Sequence, residues 1–207
     1  MSLLRPKLLS VAALDQSPLP LDLSLVKSHL AETSSDNNVL IEQLILSAIH
    51  WAENAMRRTI YARQHTWVLE DFPRDGKLEI DLPRGKTQSI DSITYSLNGS
   101  TTALTGPSAS PAGSDYQESL IGDRGAIIMP LRGETWPDTD YDVPAPVTIS
   151  FSAGWLASEV PDPIIHALLF TISDAYDLRG TGDFAGGGAH FETREILISP
   201  YRIKRWY

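Results

Sequence analysis

Few residues in this chain are spaced for chemistry, and each such group falls short of a working site. Gly85-Lys86-Thr87 has the ending of a phosphate-binding loop, in which backbone N–H groups cradle phosphates and a lysine reaches them. That loop needs a glycine five positions before Gly85, where Ile80 stands, and a helix afterwards, where Gln88-Ser89-Ile90-Asp91 reads as strand. A turn between strands is the expected role. Asp138, Asp140 and Asp142 alternate as calcium ligands do, but the glycine and closing glutamate of a calcium loop are missing. An exposed acidic loop is expected there. His29, His50, His65, His166 and His190 are scattered, with no pair at the spacing of a zinc-binding helix. The chain has no cysteine, which excludes a disulfide frame, a thiolate-metal site and a Cys nucleophile. No G-x-S-x-G elbow occurs. No catalytic set, metal site or cofactor is therefore expected, and an enzyme would have to bring its carboxylates together through folding.

What remains is charge placement. The 207 residues carry 17 Lys+Arg against 26 Asp+Glu, a net of −9, which argues against a surface that grips nucleic acid over its whole area. Residues 115–195 hold 14 acidic and 4 basic side chains, a net of −10. Residues 201–207 reverse the sign, with Arg202, Lys204, Arg205, three aromatics and no acid. Such a terminus reads as a disordered end without a role, as a nucleic-acid tail, or as a docking peptide. Three charges give only weak, salt-sensitive affinity for nucleic acid. The aromatic density favours docking, since Tyr and Trp bring apolar area and Arg brings forked hydrogen bonds.

The elements that would position these residues follow from periodicity. The N-terminal twenty residues, with Pro6, Pro18 and Pro20, read as an extended lead-in. Asp22 caps a short helix to about Ala31. After a polar break, Ile41, Leu44, Ile45, Ala48, Ala52, Ala55 and Met56 mark one face of a second helix. Leu40, Leu46, Ile49 and Trp51 widen its apolar stripe, which fits either a central core helix or burial by a neighbouring subunit. From Gln64 the period changes to that of strands: Thr66–Leu69, Lys77–Leu82, Ile90–Tyr95, Thr101–Leu104, Tyr116–Ile121, Ala126–Met129 and Val147–Phe151. Asn98-Gly99 is a hairpin signal. Helix returns at Asp162-Pro163, read as a cap followed by proline at the first helical position, and stops near Gly180. Gly180–Gly188 reads as a flexible loop and Thr193–Ser199 as a short helix. No segment reaches the roughly 18 apolar residues of a membrane span, and no secretory apolar region follows Arg5 and Lys7. The expected class is α+β: a helical core with an inserted antiparallel β module and an extended C-terminal tail. Its parts are 1–63 (helical), 64–154 (β module), 155–199 (helical) and 200–207 (tail).

The order of these features resembles the head–tail connector, or adaptor, proteins of long-tailed bacteriophages and gene transfer agents. The residues carrying the resemblance are Leu23–Leu30, the long helix ending Met56-Arg57-Arg58-Thr59, Thr66-Trp67, Leu82-Pro83, Phe151-Ser152-Ala153-Gly154-Trp155, Val160-Pro161-Asp162-Pro163-Ile164 and Ser199-Pro200-Tyr201-Arg202-Ile203. It spans nearly the whole chain, and order and spacing carry it rather than any single motif. The long 105–114 loop and the glycine-rich 180–188 segment depart from the family pattern.

The resemblance implies a structural, non-enzymatic role. Connector subunits form a ring of commonly about twelve copies below the portal at the capsid vertex. The ring extends the channel for double-stranded DNA, which passes without specific binding. It also presents a platform to a tail-side stopper or tail terminator protein. The helices form the ring body, the β module projects outward or toward the tail, and no membrane is involved. The location implied is the virion head–tail junction, with the host cytoplasm as the place of assembly. On this reading Tyr201, Arg202, Ile203, Lys204, Arg205, Trp206 and Tyr207 dock to the portal. Subunit contacts run along the second and third helices and involve Trp51, Glu53, His166, Asp174 and Tyr176. The rival class is a monomeric peptide- or glycan-binding module with an exposed aromatic cluster at Trp136 and Trp155.

Overall fold

A computed structural model describes residues 6–14, 20–74, 78–107, 114–120, 122–123, 125–179 and 191–203, with the backbone alone for 6–9. The chain divides into two units: residues 6–13 with 62–154, and residues 14–61 with 155–203. It is α+β.

The first unit is all strand: β1 Pro6–Val11, β2 Arg63–Leu69, β3 Ile80–Asp81, β4 Thr87–Leu97, β5 Ser100–Leu104, β6 Tyr116–Ser119, β7 Ile127–Pro130 and β8 Val147–Ala153. Five strands form one antiparallel sheet in the order β1-β2-β8-β4-β5, and three form a second in the order β3-β7-β6. Alternation puts Val147, Ile149, Phe151 and Ala153 of β8 inside, beside Trp67 and Leu69 of β2. Ile80, Tyr116 and Ile128 of the smaller sheet join the same core. The register of β4 on β8 shifts between Thr87 and Ser89 and again between Ile90 and Ser92. Those bulges explain why β4 lacks strict alternation in sequence. Asn98 (φ 53°) and Gly99 (φ 71°) make the β4–β5 turn in the left-handed region.

Two expectations change. The extended lead-in is an edge strand, β1, paired with β2 through Leu9↔Trp67 and Val11↔His65, so the helical part begins at Leu14 rather than at residue 1. Of the expected strand Lys77–Leu82, only Ile80–Asp81 pairs with β7. Lys77 lies outside the described residues. Leu82 N–H bonds the Ala126 carbonyl at 2.9 Å, and a side chain at Gly125 would collide with the Leu82 carbonyl. The chain thus crosses backbone to backbone there, which only glycine permits.

The second unit is helical: α1 Leu23–His29, α2 Asn38–Met56, α3 Asp162–Asp177 and α4 Phe191–Ile198. Asp22 caps α1 by accepting the Ser24 N–H at 2.8 Å. The apolar stripe of α2, including Ile41, Ile45, Ile49, Ala52 and Met56, is buried against Ile164, Leu168 and Ile172 of α3. Its widening residues divide: Ile49 is fully buried, Leu46 and Trp51 are half-buried, and Leu40 is exposed. The cap of α3 is Pro161, one residue earlier than expected, with Asp162 in the first turn where its charge suits the helix dipole. The glycine-rich segment 180–188 lies outside the described residues.

Candidate functional site

Of the residues expected to dock or to meet a neighbour, Arg202, Ile203 and Glu53 lie at the C-terminal end of α2, whereas Tyr176 meets Asn37, the cap at the other end of α2. That helix ends on Arg57 in the left-handed region (φ 56°), and Arg58 N–H returns to the Glu53 carbonyl at 3.0 Å. Such an end leaves carbonyls without helical partners. The C-terminal segment supplies two of them. Arg202 Nε donates to the Ala55 carbonyl at 2.9 Å, and Ile203 N–H donates to the Met56 carbonyl at 3.0 Å. Arg202 also pairs with Glu195 of α4 at 2.8 Å. Tyr201 sets its ring edge-on to Trp155, with centroids 6.3 Å apart, and the Arg58 guanidinium lies 4.9 Å from the same indole. Tyr201–Ile203 are therefore fastened to the helical unit. Lys204, Arg205, Trp206 and Tyr207 lie outside the described residues.

Of the residues expected between subunits, several make their contacts inside this one. Glu53 is buried, and its Oε1 accepts the Ile60 N–H at 2.9 Å. Burial, with the Glu53 charge adding to it, pushes the Tyr61 phenol up to about 12. Asp174 meets Arg194 of α4 at 3.3 Å, both side chains about one-tenth exposed. The Arg194 guanidinium also sits 5.1 Å from the Trp51 ring and 5.5 Å from that of Phe191. Trp51 and Asp174 thus form the seat of α4. Tyr176 is buried and donates to Glu32 Oε2 at 2.6 Å, while Asn37 Nδ2 donates to Glu32 at 2.9 Å. These bonds, Tyr176 first, hold the Glu32 carboxyl down at about 2. His166, by contrast, is exposed on α3.

The chemical look-alikes resolve into structure. Arg84 (φ 75°) and Gly85 (φ 95°) form the tight turn into β4, with no helix following. Asp140 staples the β4–β5 hairpin: it accepts from Ser96 Oγ at 2.7 Å, Asn98 N–H at 2.7 Å and Gly99 N–H at 3.0 Å. The Ser96 bond, then the backbone donors, lowers its pKa. Asp138 pairs with Arg74 at 2.6 Å. Among the described residues no cluster of three His, Asp or Glu is placed to hold a metal ion. Trp136 is buried, stacked on Phe72 with centroids 4.8 Å apart, and donates to the Leu78 carbonyl at 2.7 Å. Trp155 is equally buried. Neither indole offers the open aromatic platform that a peptide- or glycan-binding module needs.

Sequence reasoning missed Arg194, Arg202 as a cap, and the Glu32–Tyr176 bond. The only sequence trace of the first two is a cation in a short helix of weak amphipathicity and another just after Pro200.

The chain matches no protein-family model and no curated sequence. It does match solved structures in fold. A chain from the neck of an empty gene transfer agent (GTA) particle, computed with C6 symmetry, superposes with a TM-score of 0.74 at 17% identity over 97% of each chain. A chain from the virion of a native GTA particle gives 0.74 at 18% identity, covering 96% of this chain and 97% of that one. A chain from the neck of a native GTA particle, computed with C12 symmetry, gives 0.65 at 18% identity over 100% and 98%. Both units of this chain thus have counterparts in order, end to end, in those chains.

Proposed function

We propose that the chain is a virion structural protein, a head–tail connector whose copies form a ring below the portal, extend the DNA channel and join the tail. The observation that carries this reading is the fold likeness over 97% of both chains to a component of a GTA particle neck. A local match could reflect one common module, whereas a match across a helical unit interrupted by a β unit concerns the whole architecture. The symmetries of the neck particles, C6 and C12, agree with a closed ring. The surplus of acid over 115–195 suits a passage that must not hold phosphates.

The portal contact falls to Tyr201–Tyr207, with a division of labour. Tyr201–Ile203 anchor the segment on α2, and Lys204–Tyr207 make the contact. No catalytic step is part of this role. Native mass measurement with and without a portal protein, and imaging of the particle, test the reading. Rings that add to the portal are expected. A persistent monomer, or a location away from the genome-exit vertex, would refute it. Truncation after Ile203 is expected to leave folding intact and abolish tail joining. Fully tail-joined particles from that truncation would remove the docking assignment alone.

A further inference from the structure

The tip of the β4–β5 hairpin holds the one Asn-Gly pair of the sequence, Asn98-Gly99, and both residues are exposed. Asparagine is chemically labile, and most so before glycine, where no side chain shields the next backbone nitrogen. In the reaction open to such a pair, the Gly99 nitrogen gives up its proton and attacks Asn98 Cγ. The Cγ–Nδ2 bond breaks, and the amide leaves as ammonia after taking up a proton, so that a five-membered succinimide closes. Water then opens the ring at either carbonyl, and position 98 becomes aspartate or isoaspartate. One water is consumed and one ammonia released, with no oxidant or reductant.

The hairpin opposes the first step of that reaction. Asp140 Oδ2 accepts the Gly99 N–H at 3.0 Å, and Oδ1 accepts the Asn98 N–H at 2.7 Å. The proton that must leave is thus held by a carboxylate, and its loss would set one anion beside another. Ring closure also requires Asn98 to rotate about its Cα–C bond until the Gly99 nitrogen meets Cγ. That rotation works against the left-handed backbone of Asn98 (φ 53°) and Gly99 (φ 71°), which closes the pairing of Leu97 with Ser100. Asp140 is itself fixed. Its N–H donates to the Ser96 carbonyl at 3.0 Å, and Ser96 Oγ donates to Oδ2 at 2.7 Å. The two residues before it are tied as well, Asp138 to Arg74 at 2.6 Å and Thr139 to Asp71 at 2.7 Å.

We propose that Asn98 is the spontaneous deamidation site of this chain and that Asp140 sets its rate, by holding the Gly99 N–H and the turn in place. Either product adds a negative charge beside Asp140, and isoaspartate lengthens a two-residue turn by one backbone carbon. A single event therefore loosens the staple that delayed it. The inference stands whatever the chain assembles with.

The test follows the full chain during incubation at mildly alkaline pH, folded and in urea, with peptide mapping by mass spectrometry to separate asparagine, aspartate and isoaspartate at position 98. The folded chain should convert at least about tenfold more slowly than the unfolded one, and Asp140→Ala should raise the folded rate by about tenfold. Ser96→Ala takes one bond from Asp140 and leaves its carboxylate on both N–H groups, so a smaller rise is expected. Asn54, exposed on α2, should keep its rate in both variants. Equal rates in the folded and unfolded chain would overturn the proposal. So would an unchanged rate in Asp140→Ala, a parallel rise at Asn54, or a slower rate, which would make the carboxylate a base that assists the attack. Should Asp140→Ala fail to fold, Ser96→Ala and the comparison with urea decide the matter: a rise in the first and protection in the second support it, and the lack of either refutes it.

Discussion

His65 makes the β unit sensitive to acid in a window where few other groups titrate. Its ring is fully buried on β2, stacked on Phe151 with centroids 5.2 Å apart, and Nδ1 lies 2.9 Å from the Arg63 carbonyl. Burial first, with Arg63 and Arg84 nearby, lowers its pKa from 6.5 to about 4. The folded state therefore binds fewer protons than the unfolded chain between those values, and stability rises with pH across them. The contribution is fully present above about 6.5 and is lost as pH falls toward 4. Complete protonation would cost about 3.4 kcal/mol, and the step from pH 7 to pH 5 about 1.8 kcal/mol. The carboxylates held low by bonding, Glu32, Asp71 and Asp140, lose their contributions at more acidic pH. Urea unfolding at pH 7 and pH 5, followed by tryptophan fluorescence and circular dichroism, should show a midpoint lower by about 1 M at pH 5. His65→Phe keeps a ring on Phe151 and removes the titration, so its midpoint should vary much less. An unchanged midpoint in the parent, or an equal pH dependence in the variant, would refute the assignment.

Three further outcomes are expected. Gly125→Ala sets a methyl group against the Leu82 carbonyl and should destabilise the β unit by about 3 kcal/mol in denaturant unfolding. Arg194→Met leaves Asp174 without that cation in a site about one-tenth exposed, costing about 2 kcal/mol, and amide exchange should quicken across Phe191–Ile198. Arg202→Ala removes the side-chain bond to Ala55 and the exposed pair with Glu195, a loss of about 1 kcal/mol that should appear as faster exchange at Ile203.

Local signals read well where they are governed by local physics. Asp22 caps α1, Asn98-Gly99 turns the β4–β5 hairpin, and Pro163 stands in the first turn of α3, each because backbone geometry or an orphan N–H demands it within a few residues. Tertiary pairing was harder to read. The pattern of Lys77–Leu82 reads as a full strand, yet the partner β7 meets it at two residues only. The lead-in becomes β1 because β2 has an edge to offer, a fact no window around Pro6 contains. Glu53, Asp174 and Tyr176 are ionisable residues on helices, a pattern that suits a surface. Their partners Ile60, Arg194 and Glu32 lie 7, 20 and 144 residues away and turn them inward. The order of elements, by contrast, survives the loss of most side-chain identity, and it is the order that matches the GTA chains at 17% to 18% identity.

The two bonds from Arg202 and Ile203 to the last turn of α2 also have a mechanical meaning. From Ile203 to Tyr207 the chain can extend no more than about 14 Å. Tension on those final residues is therefore delivered at once to the carbonyls of Ala55 and Met56. A partner that gripped the tail, as proposed above, would load α2 through these bonds, so the two would form one line of force.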